Sequence, residues 1–247
     1  MSTTTASLEE LRSLLDPNLL PQHVAIIMDG NRRWAHTNQL HVEMGHWEGA
    51  EVLTEIVRAA ARWGIKTLTV YAFSTENWSR SQTEIDSLMN LFQVYLSTKR
   101  ELMVQEGICL NAIGDLTRLP EQIQKTLNET IQATQSGKRI NLVIALNYGG
   151  RDEIKRAMKR ILEKKISPNE LTEELISQYL DTSPWGDPDF LIRTSGEFRL
   201  SNFMLWQISY TELYISEVFW PQFTPQLFHQ ALLSYQNRQR RFGGSDE

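Results

Sequence analysis

The chain has 247 residues and one cysteine, Cys109, which excludes an intrachain disulfide and any cysteine-based metal cluster. Its net charge of -5 disfavours a general nucleic-acid binder, a class that is ordinarily basic. With 41 % apolar and 22 % charged residues it has the composition of a globular domain large enough to bury a core without staples.

The first residues, MSTTTASLEELRSLLDP, lack the basic start and apolar run of a signal peptide. No stretch reaches the roughly 18 apolar residues of a membrane span. A cytoplasmic location is therefore expected, and a lipid substrate would be met from the water side, with peripheral contact at the membrane for product release. We divide the chain into an extension, residues 1–20, and one domain, residues 21–244.

His23–Met28 (HVAIIM) reads as a buried strand, and Trp47–Trp63 as a helix with Ala50, Leu53, Val57 and Ala60 on one face. Lys66–Phe73 is a second strand. Ser81–Gln105 reads as one long helix, striped by Ile85, Leu88, Met89, Phe92, Tyr95 and Leu96. Ile108–Ile113 is a strand, Pro120–Gln135 a helix, and Ile140–Leu146 (INLVIAL) another buried strand, followed by a helix from about Arg151. Asp189–Ile192 and Leu213–Val218 are short strands. Thr224–Arg240 is the last helix, with Pro225 tolerated in its first turn.

Apolar runs without alternation indicate strands covered on both faces. Strands alternating with helices indicate crossover connections, so the expected class is α/β, with a central, mostly parallel six-stranded sheet flanked by helices. In such a sheet, ligands bind beyond the carboxyl ends of the strands.

Those ends carry the polar clusters. After the first strand stands Asp29-Gly30-Asn31-Arg32-Arg33-Trp34. Asp29 can offer a hard oxygen to magnesium. Gly30 lets backbone approach a ligand, and the arginines with free N–H groups can grip phosphate oxygens. Asp-Gly on its own is equally a turn. After the second strand stands Ser74-Thr75-Glu76-Asn77-Trp78-Ser79-Arg80, where helix capping accounts for the hydroxyls but not for Asn77, Trp78 and Arg80 together. Asn147-Tyr148-Gly149-Gly150-Arg151 reads as a glycine turn into a helix. The loop from Arg193 to Asn202 holds Arg193, Arg199 and several hydroxyls, an anion-binding set that would otherwise be a surface loop. His46 and Glu212 complete the candidates. No phosphate-binding glycine loop, dinucleotide fingerprint, zinc helix or nucleophile elbow is present, and no two aspartates are adjacent.

These same loops resemble the cis-prenyltransferase, or undecaprenyl diphosphate synthase, family. The resemblance lies in His23–Ala35 (HVAIIMDGNRRWA), Gly45-His46, Tyr71–Arg80 (YAFSTENWSR), Asn147–Arg151 (NYGGR), Asp189–Glu197 (DFLIRTSGE), Arg199–Tyr214 (RLSNFMLWQISYTELY) and Arg240–Gly244 (RRFGG). It implies a homodimer with a hydrophobic tunnel beside the sheet. It implies isopentenyl diphosphate and an allylic prenyl diphosphate as substrates, and Mg2+ as cofactor. By this likeness Asp29 and Glu212 serve the metal, and Gly30, Asn31, Arg32, Arg33, Trp34 and His46 hold the allylic diphosphate. Ser74, Thr75, Glu76, Trp78 and Arg80 line the site near the reacting carbons. Arg193, Arg199, Leu200 and Ser201 hold the second diphosphate.

Asn77 has the family position of proton acceptor. A neutral amide is a poor base, so Asn77 is better suited to orienting the diphosphate or water that takes the proton. Trp34, Phe73 and Trp78 are candidates for an apolar wall. Two positions depart from the pattern: Val42 stands where arginine is frequent, and Phe198 where bacterial relatives often have histidine. The likeness leaves open a long-chain synthase, a short-chain synthase and a non-catalytic partner subunit.

Overall fold

The computed structural model describes residues 7–238. The motif Arg240–Gly244 and the expected end of the last helix lie outside that range. In chain order the elements are α1 (Leu8–Ser13), β1 (His23–Ile27), α2 (Asn31–Thr37), α3 (Val42–Trp63), β2 (Thr67–Ser74), α4 (Gln82–Thr98) and α5 (Arg100–Gln105). There follow β3 (Ile108–Ile113), α6 (Glu121–Thr134), β4 (Ile140–Tyr148), α7 (Gly150–Glu163), α8 (Glu173–Tyr179), β5 (Phe190–Arg193), β6 (Glu212–Ile215) and α9 (Pro225–Gln236).

The six strands form one sheet in the order β3-β4-β2-β1-β5-β6, and every pairing is parallel. The sheet is covered on both faces, as the unbroken apolar runs require. Along β1, Val24 and Ile26 point into the larger core with α3, α4 and α9, whereas Ala25 and Ile27 join Val143, Tyr148, Leu191 and Phe203 on the other side.

Three departures from the sequence reading have local causes. The helix expected from Trp47 begins at Val42, because α3 continues through Gly45 to dock on α2. The single helix expected over Ser81–Gln105 is interrupted at Lys99. There the Ser97 and Thr98 hydroxyls donate to the carbonyls of Gln93 and Val94 one turn back, a pattern that bends helices. The short α2 stands where the motif suggested a loop. Its N-cap is Gly30, at φ 107, in the left-handed region that glycine enters without penalty. A Cβ at Gly30 would lie 2.9 Å from the Phe219 ring, so the position is closed to side chains on two counts.

The segment expected as an extension is partly built into the core. Leu11 and Leu15 are buried, and the Trp63 indole donates to the Leu8 carbonyl at 3.0 Å. No helix among the described residues is long and apolar enough to cross a membrane.

Candidate active site

Register places the site. Ile27 of β1 pairs with Arg193 of β5, so Asp29, two residues on, meets the Arg193 guanidinium at the carboxyl edge of the sheet. Arg193 Nη2 donates to Asp29 Oδ2 at 2.8 Å, and Arg33 Nη2 lies 3.2 Å from Oδ1. Burial raises the Asp29 pKa, but the hydrogen bond and charge of Arg193, followed by the charge of Arg33, outweigh it and hold the carboxyl below its ordinary value. Asp29 is therefore an anion between two cations.

Arg193 is itself only 3 % exposed. Its Nη1 donates to Ser201 Oγ at 3.0 Å and to the Arg199 carbonyl, while its Nε finds no protein partner. Ser195, Ser201, Asn202 and Met204 have positive φ. That conformation is costly for residues with side chains, and it folds the loop back over Arg193.

Two cavities flank Asp29. The inner one, about 570 Å³, is lined by Asp29, Asn31, His46, Tyr71, Ser74, Glu76, Asn77, Arg80, Arg193, Ser201 and Asn202, with Ile27, Met28, Ala72, Phe73 and Leu88 as its apolar part. The outer one, about 520 Å³, adds Gly30, Arg32, Arg33, His36, Glu197 and Arg199, and shares Asp29, Asn31, His46 and Arg80. A third recess of about 70 Å³ continues between α3 and α4, lined by Gly49, Ala50, Leu53, Leu91, Phe92, Tyr95, Ile144 and Trp220. It shares Met28, Ala72 and Leu88 with the inner cavity, so a polar chamber opens directly onto an apolar one.

Most of the expected site residues thus converge. Five do not line these cavities. Trp34 and Thr75 stand outside them. Leu200 packs under the loop against the smaller core, and Trp78 is edge-on to Phe73 at 5.0 Å with its indole donating to Asn147 Oδ1. Glu212 lies further off. It pairs with Phe190 at the amino end of β5 and forms an ion pair with Arg238 at 2.7 Å, so within this chain it cannot join Asp29 on a metal. Among the described residues no three His, Cys, Asp or Glu side chains converge on a metal position.

Asn77 Oδ1 accepts from the Ser74 N–H at 3.0 Å, which fixes its amide at the wall of the inner cavity. Glu76 accepts from Asn202 at 2.9 Å, bridging the loops after β2 and β5. His46 is held neutral: burial and the nearby charge of Arg80 lower its pKa to about 4.

Sequence reasoning passed over Tyr71, Asn202 and Glu84. Tyr71 stood only as a strand residue, and its hydroxyl donates to the Tyr148 and Ser201 carbonyls. Glu84 left one trace, its spacing of four from Arg80.

Comparison with known proteins identifies the family. The family model described as "Putative undecaprenyl diphosphate synthase" matches residues 27–243. The chain belongs to this family of prenyl transferases. It is 51 % identical over 236 residues to the isoprenyl transferase of Chlamydia pneumoniae, covering 91 % of this chain and 93 % of that one. It is 48 % identical to the isoprenyl transferase of Geobacillus kaustophilus, with 91 % and 89 % covered. Among solved structures it is similar to lavandulyl diphosphate synthase from Lavandula x intermedia in complex with dimethylallyl diphosphate, with a TM-score of 0.88, 37 % identity, and 92 % and 99 % of the two chains covered. The probable undecaprenyl diphosphate synthase of Campylobacter jejuni aligns with a TM-score of 0.78 at 35 % identity, covering 90 % and 98 %.

Proposed function

We propose that the protein condenses isopentenyl diphosphate onto an allylic diphosphate, farnesyl diphosphate, leaving a new cis double bond at each addition. The product we assign is undecaprenyl diphosphate, a carrier lipid for cell-wall glycans. One observation carries the reading: Asp29, clamped between Arg193 and Arg33, lies where two cation-lined cavities meet, and the inner cavity opens onto an apolar recess.

The chemistry follows from that arrangement. The allylic carbon–oxygen bond breaks and its electron pair leaves with the diphosphate. Arg32, Arg33 and the N–H groups at the start of α2 oppose the charge that develops. The double bond of isopentenyl diphosphate forms the new carbon–carbon bond while Arg193, Arg199 and Ser201 hold its diphosphate. A proton is then lost, and Asn77 orients the diphosphate oxygen or water that receives it. The apolar recess keeps water from the electron-poor allylic carbon.

Magnesium, when bound, supplies Lewis-acid stabilisation of the leaving diphosphate. The residues fit a cation that arrives with its substrate. Asp29 supplies one carboxylate at the cavity wall, and magnesium characteristically takes one or two carboxylates with phosphate oxygens and water. Glu212 can contribute only from a second copy of the chain. We assign the homodimer contact to the edge strand β6, where Leu213 is exposed, and to Tyr210, exposed just before it.

Retention of Asp29, Arg193 and Arg199 favours catalysis over a non-catalytic partner role. The test is incubation with farnesyl diphosphate, labelled isopentenyl diphosphate and magnesium, followed by sizing of the product. A long-chain cis product is expected. A product of one or two additions replaces the long-chain assignment by a short-chain one, and no elongation by folded protein overturns the reading.

A further inference from the structure

Glu84 occupies the first turn of α4, and its carboxylate faces groups from three elements. Arg80 Nη1 lies 2.9 Å from Oε1, Arg32 Nη1 3.5 Å from Oε2, and His46 Nε2 3.8 Å from Oε1. Arg80 ends the turn Thr75–Ser79, Arg32 belongs to α2, and His46 belongs to α3. The Glu84 side chain is 13 % exposed, against 53 % for Arg32. Arg32, Arg80 and His46 all line the outer cavity, whereas Glu84 lines none of the three cavities described above. The carboxylate therefore stands behind the cations that face the ligand space.

An Arg–Glu pair four residues apart on a helix is ordinarily a local support. Arg32 and His46 are not local, and they change the meaning of the pair. Two guanidinium groups brought close together repel each other, and each long side chain has much rotamer freedom. A carboxylate placed between them offsets the repulsion and fixes where both point.

We propose that Glu84 is a positioning residue for the allylic diphosphate. It acts through Arg32 and Arg80, and it ties the start of α4, and with it the segment carrying Asn77 and Trp78, to α2. This rests on the substrate assignment above. Arg32 lines the outer cavity and not the inner one, and Arg193 has its own brace in Asp29 and Ser201, so the effect falls on the allylic diphosphate.

The test is steady-state kinetics with farnesyl diphosphate and isopentenyl diphosphate for wild type, Glu84→Gln and Glu84→Asp, with melting temperatures measured alongside. Glu84→Gln is expected to raise KM for farnesyl diphosphate about tenfold, the scale of one charge-assisted hydrogen bond. KM for isopentenyl diphosphate and the melting temperature stay as in wild type, and Glu84→Asp recovers part of the loss. An equal rise in both KM values, or a fall in melting temperature with KM unchanged, overturns the proposal. If wild type elongates nothing, the substrate assignment has failed, and binding of inorganic diphosphate by calorimetry decides for Glu84 separately. Weaker binding by Glu84→Gln then supports the positioning role, and equal binding, or none to wild type, ends it.

Discussion

The guanidinium of Arg193 stands 2.8 Å from a carboxylate oxygen of Asp29, and this contact joins the ends of the neighbouring strands β1 and β5. Arg193 is nearly sealed from solvent, whereas the Asp29 side chain keeps 27 % of its surface open toward the ligand space. A buried cation without its partner is strongly destabilising, so the pair holds the site together as well as charging it.

Asp29→Ala is expected to lower kcat by about a thousandfold or more, the scale lost when a group that manages leaving-group charge is removed. Circular dichroism should show the fold retained, with a lower melting temperature because Arg193 loses its partner. Turnover at the wild-type rate would remove Asp29 from the mechanism.

Arg193→Ala should weaken binding of isopentenyl diphosphate by about 1.5–3 kcal/mol, as for loss of a hydrogen bond to a charged group. Equilibrium binding of each substrate separately checks this. If affinity for the allylic substrate falls instead, the two diphosphate positions are exchanged.

The neutral His46 makes stability depend on pH. Its pKa in the folded protein, about 4, lies below the ordinary value of 6.5, so the unfolded chain binds the proton more readily. The resulting stability is full above pH 6.5 and is lost as pH falls from there toward 4. His23, whose pKa burial also lowers to about 4, adds to the same trend. Thermal melts across this range should therefore show a shallower loss for His46→Gln than for wild type. Parallel curves would mean that His46 is not held neutral by its surroundings.

Gly45→Ala should displace Asn31. A Cβ at this position would lie 2.2 Å from the Asn31 carbonyl oxygen, so α3 must move away from α2. The expected cost is about 1–3 kcal/mol of stability, typical of overpacking, together with a loss of activity from the misplaced start of α2. Chemical denaturation and turnover measure the two effects, and a variant as stable as wild type would show that the helices part without strain.

Tyr95 lines the apolar recess. It is 8 % exposed, and its hydroxyl lies 3.3 Å from Thr54 Oγ1 on α3. Tyr95→Ala should shift the product distribution toward longer chains, as sized by chromatography. An unchanged distribution would take Tyr95 out of the path of the hydrocarbon.

The sheet was legible because a doubly covered strand must be apolar throughout, as in HVAIIM and INLVIAL. The short α2 was not. Asn31–Thr37 has no apolar stripe of its own, and it is helical because Gly30 turns the chain and Gly45 lets α3 come close. Glu84 was hidden for a related reason. Only Arg80, four residues before it, is near in sequence, whereas Arg32 and His46 arrive through the fold.

The sequence by itself determined the α/β class, the strand ends as the place of chemistry and most of the charged residues there, since strand burial and loop composition are local properties. Tertiary structure alone decided which of those charges meet. The register of β1 against β5 set Arg193 on Asp29. The parallel pairing of β5 with β6 carried Glu212 to the opposite edge, because a residue at the start of a parallel strand lies a full strand length from the residues that follow its neighbour.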